Sequence, residues 1–164
     1  MNVIVAVDEQ WGIGKDGDLL CRISGDMKRF RAITSGNVLI LGRKTLESFP
    51  NKKPLPNREH IVLTNNLEYQ AEGVTLCHSI AEIPRVLELF KEKEIFVAGG
   101  ESIYEQLLPF CEKAYVTKIH GAFPADTHFP NLDTMPEWEI VEEEQQEEGG
   151  VKFTFVLYQR KKCY

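Results

Sequence analysis

Apolar positions along the chain form short unbroken runs set between helical stripes. Residues 3–7, 38–41 and 95–98 are continuous runs of β-branched and other apolar side chains, the pattern of strands covered on both faces. Residues 60–64, 74–77 and 114–119 add three more strands. Asp26, Phe30 and Ile33 fall on one face of a helix starting at Ser24, whose hydroxyl suits an N-cap. Gly36 closes that helix, and a short helical segment follows Gly42 and ends near Phe49-Pro50. Ile83, Val86, Leu87 and Phe90 predict a helix over 80–90, with Pro84 tolerated in its first turn. A fourth helix is expected over 102–108. Residues 138–141 and 151–158 read as the arms of a hairpin, with the acidic run 142–148 and Gly149-Gly150 around its tip as a solvated strand end. Residues 51–57 are a turn-rich connection, and a long loop with Gly12, Gly14 and Gly17 follows the first strand.

The order β-α-β-α-β-β-α-β-α-β-β-β predicts an α/β fold: one domain over residues 1–164, with a mainly parallel eight-stranded twisted sheet, an antiparallel C-terminal hairpin and four helices. A chain of 164 residues is long enough to bury a core without staples. The net charge of -6 argues against a nucleic-acid partner, because no basic face exists to displace counterions from phosphates. Cys21, Cys77, Cys111 and Cys163 form no CxxC pair, and His60, His78, His120 and His128 show no ligand spacing, so no metal site is expected. The N-terminus lacks the basic start and the length of a signal peptide, and no run is long enough to span a bilayer. A cytoplasmic monomer with reduced thiols is the expectation.

In mainly parallel sheets ligands collect at the carboxyl ends of the strands. Gly99-Gly100 follows a strand and opens a helix, so its amides can approach a phosphate without an intervening Cβ; a plain tight turn would leave the same trace. Gly42-Arg43-Lys44-Thr45 repeats the arrangement with two cations, which suit a phosphate monoester or, equally, a solvated basic turn. Two such sites on one rim suggest a dinucleotide carrying an extra phosphate, although GxGxxG with a later ribose-binding acid is missing. Asp26 is either an acid at the positive end of a helix or a functional carboxylate among apolar side chains.

Seven segments in register resemble bacterial dihydrofolate reductases: Ile13-Gly14; Asp26 with Phe30; Gly42-Arg43-Lys44-Thr45; Pro54-Leu55-Pro56-Asn57-Arg58; Val97-Ala98-Gly99-Gly100 with Tyr104; Thr117; and Asp126-Thr127-His128-Phe129-Pro130. The resemblance implies NADPH as cofactor, dihydrofolate as substrate and antifolates such as trimethoprim or methotrexate as inhibitors. It makes Asp26 the only ionisable side chain at the pterin, pairing with the 2-amino group and N3, with Thr117 as its hydroxyl partner. Val5, Ala6, Phe30, Phe49 and Leu55 would wall the pterin and aminobenzoyl rings, and Arg58 would grip the α-carboxylate. On the cofactor side, Ala6, Ile13 and Gly14 would neighbour the nicotinamide. Gly42, Arg43, Lys44 and Thr45, with Leu63, Thr64 and Asn65, would hold the adenosine and its phosphate. Ala98, Gly99, Gly100, Glu101, Ser102, Ile103 and Tyr104 would flank the pyrophosphate and the nicotinamide ribose.

The chain departs from the family where Leu20-Cys21 replaces the usual Pro-Trp and Ser24 stands where a proline is common. The absent tryptophan bears on water placement, loop closure and inhibitor affinity. Two other readings stay open at this point: a related reductase of a ribosylaminopyrimidine, against which Arg58 argues, and a non-catalytic dinucleotide-binding protein.

Overall fold

A computed structural model describes residues 1–20 and 22–162; Cys21 and Cys163, named above, lie outside them. In chain order the elements are β1 (Asn2–Val7), β2 (Gly12–Lys15), β3 (Asp18–Leu19), α1 (Ser24–Thr34), β4 (Val38–Gly42), α2 (Arg43–Glu47), β5 (Glu59–Leu63) and β6 (Thr75–Cys77). Then follow α3 (Ile83–Leu87), β7 (Ile95–Val97), α4 (Glu101–Leu107), β8 (Lys113–Ile119), β9 (Thr127–His128), β10 (Trp138–Glu148) and β11 (Val151–Arg160). The main sheet has eight strands in the order β10-β11-β8-β1-β7-β4-β5-β6. Only β11 runs against the rest, pairing antiparallel with both β8 and β10.

Both faces of the sheet are covered, as the continuous apolar runs require. Val3, Val5, Val38, Ile40, Ile61 and Val97 face one cluster, which Ile83 of α3 and Ile103 and Leu107 of α4 complete. The alternate residues Ile4, Leu39, Leu41, Val62 and Phe96 face the other, covered by Phe30 and Ile33 of α1 and by Leu46 of α2. Residues 80–90 stay helical, but as a central α3 flanked by 3-10 turns at Ile80–Glu82 and Glu88–Phe90. Among the described residues no helix is long and apolar enough to cross a membrane.

Two segments differ from the sequence expectation. The loop after β1 forms a second, three-stranded sheet in which β2 pairs with both β3 and β9. Its strands are two to four residues long and partly exposed, too short to leave a periodic trace. The acidic run 142–148, expected as a solvated strand end, is exposed and continues β10 as strand over its whole length, paired with β11 up to Glu148↔Val151. It lies on an edge strand, where charged side chains are compatible with pairing on one side and discourage it on the other. The turn is Gly149-Gly150 alone, both with positive φ, a two-residue hairpin loop.

Candidate active site

Asp26 sits in the first turn of α1, the helix that leaves the central strand region and covers the Leu39–Phe96 side. Its Oδ1 accepts a hydrogen bond from the Thr117 hydroxyl at 2.5 Å. Thr117 is buried on β8 and pairs in register with Ala6 of β1, so the carboxylate is fixed beside the middle of the sheet. Burial raises the Asp26 carboxyl above its usual 3.8, partly offset by the Thr117 hydroxyl and the positive charge of Arg29. Its charge is felt by Tyr104, whose buried hydroxyl donates to the Ile4 carbonyl at 2.8 Å.

Ser24 does not cap this helix. Ile23 is the N-cap residue and makes no side-chain bond; Ser24 is instead the first helical residue. Glu148, at the end of β10, accepts from the Ser24 amide and hydroxyl, each at 2.9 Å, and from the Gly25 amide at 3.2 Å. A carboxylate from a remote strand thus satisfies orphan amides and complements the helix dipole.

Phe30, Phe49 and Leu55 come together on the Leu39–Phe96 face as partly buried apolar side chains. Arg58 lies near Phe30, its guanidinium carbon 5.9 Å from the ring centre. Its Nε donates to the Pro56 carbonyl and Nη1 to the Thr34 hydroxyl, and Nη2 has no hydrogen-bond partner among the described residues. Burial and then the neighbouring Arg31 lower its pKa, though a guanidinium remains cationic. The sequence reading passed over His60, which is buried on β5 with one ring nitrogen near Leu55 and the other near Arg58.

On the other side of Val5 and Ala6 opens a cleft of about 620 Å³, in the range of small-molecule sites. Every residue expected on the cofactor side lines it, from Ile13 and Gly14 through the 42–45 and 63–65 segments to the 98–104 segment. The Gly42 amide donates to the Gly99 carbonyl at 2.9 Å, tying the two glycine turns together. Gly99 has φ +117, a conformation that favours glycine, and a Cβ at Gly99 or Gly100 would lie 3.6 Å from the Thr45 hydroxyl oxygen. Arg43 is paired with Glu47 at 3.0 Å in a half-exposed contact, a weak bond that an incoming anion can replace.

The cleft is also lined by Ser48, His78, Ser79, Ile80 and Gln106, none of them singled out from sequence. His78 and Ser79 directly follow β6, so the rule that ligands gather at strand ends pointed to them. Ser48 and Gln106 left no such signal. Val5 and Ala6 line the cleft too, whereas Asp26, Phe30, Phe49, Leu55, Arg58 and Thr117 are not among its lining residues.

The family model for dihydrofolate reductase matches residues 1–160. The chain belongs to the dihydrofolate reductase family. Dihydrofolate reductase of Bacillus subtilis is 37% identical over 164 residues, covering 98% of this chain and 95% of the relative. That of Staphylococcus haemolyticus is 38% identical over 162 residues, with the same coverage. Among solved structures, dihydrofolate reductase from Enterococcus faecalis, complexed with NADP(H) and RAB-propyl, superposes with a TM-score of 0.86 at 38% identity. The match covers 98% of this chain and 96% of that one. The chain is accordingly an enzyme of that family.

Proposed function

We propose that the chain reduces 7,8-dihydrofolate to 5,6,7,8-tetrahydrofolate with NADPH, and that the residue roles set out under Sequence analysis hold. The observation that carries this reading is the Asp26–Thr117 pair, held beside Ala6 where a phosphate-ready cleft ends. The cleft suits NADPH by its chemistry: two linked glycine turns without Cβ atoms, a guanidinium and an ammonium at one end, and apolar Ile13, Val5 and Ala6 at the other. Bound there, the cofactor supplies the hydride, which no side chain can donate.

The chain's own residues do the rest. Asp26, ionised, accepts from the 2-amino group and N3 of the pterin and fixes its plane, while Thr117 fixes Asp26. The negative charge so placed favours a proton at N5, delivered from solvent water and not by Asp26. Phe30, Phe49 and Leu55 exclude water from the aromatic rings, and Arg58 pairs with the α-carboxylate through its uncommitted nitrogen. Trimethoprim and methotrexate present nitrogen-rich edges that the same carboxylate can bind. We place the enzyme in the cytoplasm as a monomer.

Adding dihydrofolate to the protein with NADPH and following loss of NADPH absorbance tests the reading. Turnover with dihydrofolate, and none with a ribosylaminopyrimidine, is expected. Reduction of the pyrimidine instead, or NADPH binding without turnover of either, overturns it.

A further inference from the structure

Loop 54–58 carries two residues of the substrate side, Leu55 and Arg58, yet it has no regular structure of its own. His60 holds it, together with the Gly36 amide on the Asn57 carbonyl and the Arg58 guanidinium on Pro56 and Thr34. The His60 Nε2 accepts from the Leu55 amide at 3.1 Å, and its Nδ1 lies 3.2 Å from the Arg58 carbonyl, which can only accept. The two contacts fix the tautomer: the proton is on Nδ1 and the lone pair on Nε2. The ring is 1% exposed and meets Phe49 edge-on, with ring centres 6.1 Å apart. One imidazole therefore touches three residues assigned to the substrate.

We infer that His60 is a positioning residue for the substrate side: its neutral ring sets the spacing of Leu55 and Arg58, and a proton on Nε2 breaks that spacing. This rests on the dihydrofolate reading above. Protonated Nε2 would face the Leu55 N–H donor to donor, so the bond is lost and a charge is left buried. The charged groups acting on the ring are Arg58, which opposes protonation, and Glu59, which favours it. Phe49 and the paired Leu39 on β4 present only apolar atoms. Burial, the largest influence, keeps the ring neutral below its usual 6.5, so the grip weakens only on the acid side. NADPH binds on the far side of Val5 and Ala6 and is not affected.

Three proteins test this: wild type, His60→Asn and His60→Leu, each assayed from pH 5 to 8 for kcat, KM for dihydrofolate and Kd for NADPH. Asparagine offers an acceptor and a donor but does not titrate; leucine offers neither. His60→Leu is expected to raise KM about tenfold at pH 8 with kcat and NADPH affinity within about threefold of wild type. His60→Asn is expected to keep KM within about threefold at pH 8 and to make the acid-side rise smaller than in wild type, leaving the part due to Asp26. A rise as large in His60→Asn as in wild type belongs to Asp26 alone and overturns the inference, as does equal loss of NADPH and dihydrofolate binding in His60→Leu. Nitrogen NMR of wild type gives a readout that needs neither a folded variant nor turnover. The Nδ1–H tautomer and a Leu55 amide shift that follows the ring titration are expected, and the other tautomer or a silent Leu55 overturns the inference. Absence of turnover with a responsive Leu55 would sink the substrate assignment and, with it, the role in substrate grip.

Discussion

Thr117 donates its hydroxyl proton to Asp26 across 2.5 Å, joining β8 to the first turn of α1. The bond favours the ionised carboxylate, which burial opposes. Thr117→Val removes the donor while keeping the shape. The Asp26 pKa should then rise further, moving the acid limb of the kcat/KM profile to higher pH, with about a tenfold loss of kcat/KM at pH 7. An unmoved acid limb would show that the hydroxyl does not act through Asp26.

Asp26→Asn should lower kcat at least about a hundredfold, the scale of a lost preorganised electrostatic contribution, while NADPH binding stays within about twofold. Its effect on stability has the opposite sign. The folded protein holds the Asp26 proton more tightly than the unfolded chain, so this group's stabilisation is fully present below 3.8 and lost as pH rises through the raised value. The ionised side chain therefore costs stability at neutral pH. The melting temperature of Asp26→Asn at pH 7 should exceed that of wild type, an advantage that disappears at acid pH; calorimetry at both pH values checks it.

Gly14 has no room for a side chain. A Cβ there would lie 2.8 Å from the Asp18 carbonyl oxygen and 2.9 Å from Thr127 Oγ1, both within the small sheet. Gly14→Ala should separate β2 from its neighbours and weaken the contacts of Asp126 with the Gly14 carbonyl and the Asp16 amide. NADPH affinity should fall about tenfold with melting temperature nearly unchanged, because these strands contribute little to the main core. Fluorescence titration with NADPH measures it.

Arg43 is expected to read the extra phosphate of the cofactor. Arg43→Gln should weaken NADPH binding about 10- to 100-fold, the scale of a lost charge-assisted bond, and leave NADH binding unchanged. The salt dependence of NADPH affinity should flatten with it. Equal losses for the two cofactors would place the phosphate elsewhere.

Strands such as 38–41 and 95–98 were legible because burial on both faces leaves an uninterrupted apolar signature. Of the residues lining the cleft, the 42–45 and 99–100 segments were legible through glycines and cations at strand ends, whereas Ile13, Gly14 and 63–65 were reached only through the family resemblance. The second sheet was not, since its two- to four-residue strands are held by bonds to distant backbone, such as the Phe129 amide on the Trp11 carbonyl. The start of β10 was legible, but its continuation through 142–148 was not, because the exposed acids carry no alternation. His60 was hidden for a different reason: a histidine within an apolar strand gives no hint of which backbone atoms its ring will meet. Ser24 misled because its residue type suits a cap, while the actual partner is more than a hundred residues away.

The grip of Glu148 on Ser24 and Gly25 spans 124 positions of sequence. During synthesis the helix bearing Asp26 emerges early, but the carboxylate that seats its first turn arrives only with the last hairpin, and Thr117 also comes late. A nascent or truncated chain ending before β10 thus has its cofactor-side strands and Thr117 but lacks the Glu148 carboxylate that satisfies the amides of the helix start. Catalytic competence is, on this layout, among the last properties the growing polypeptide acquires.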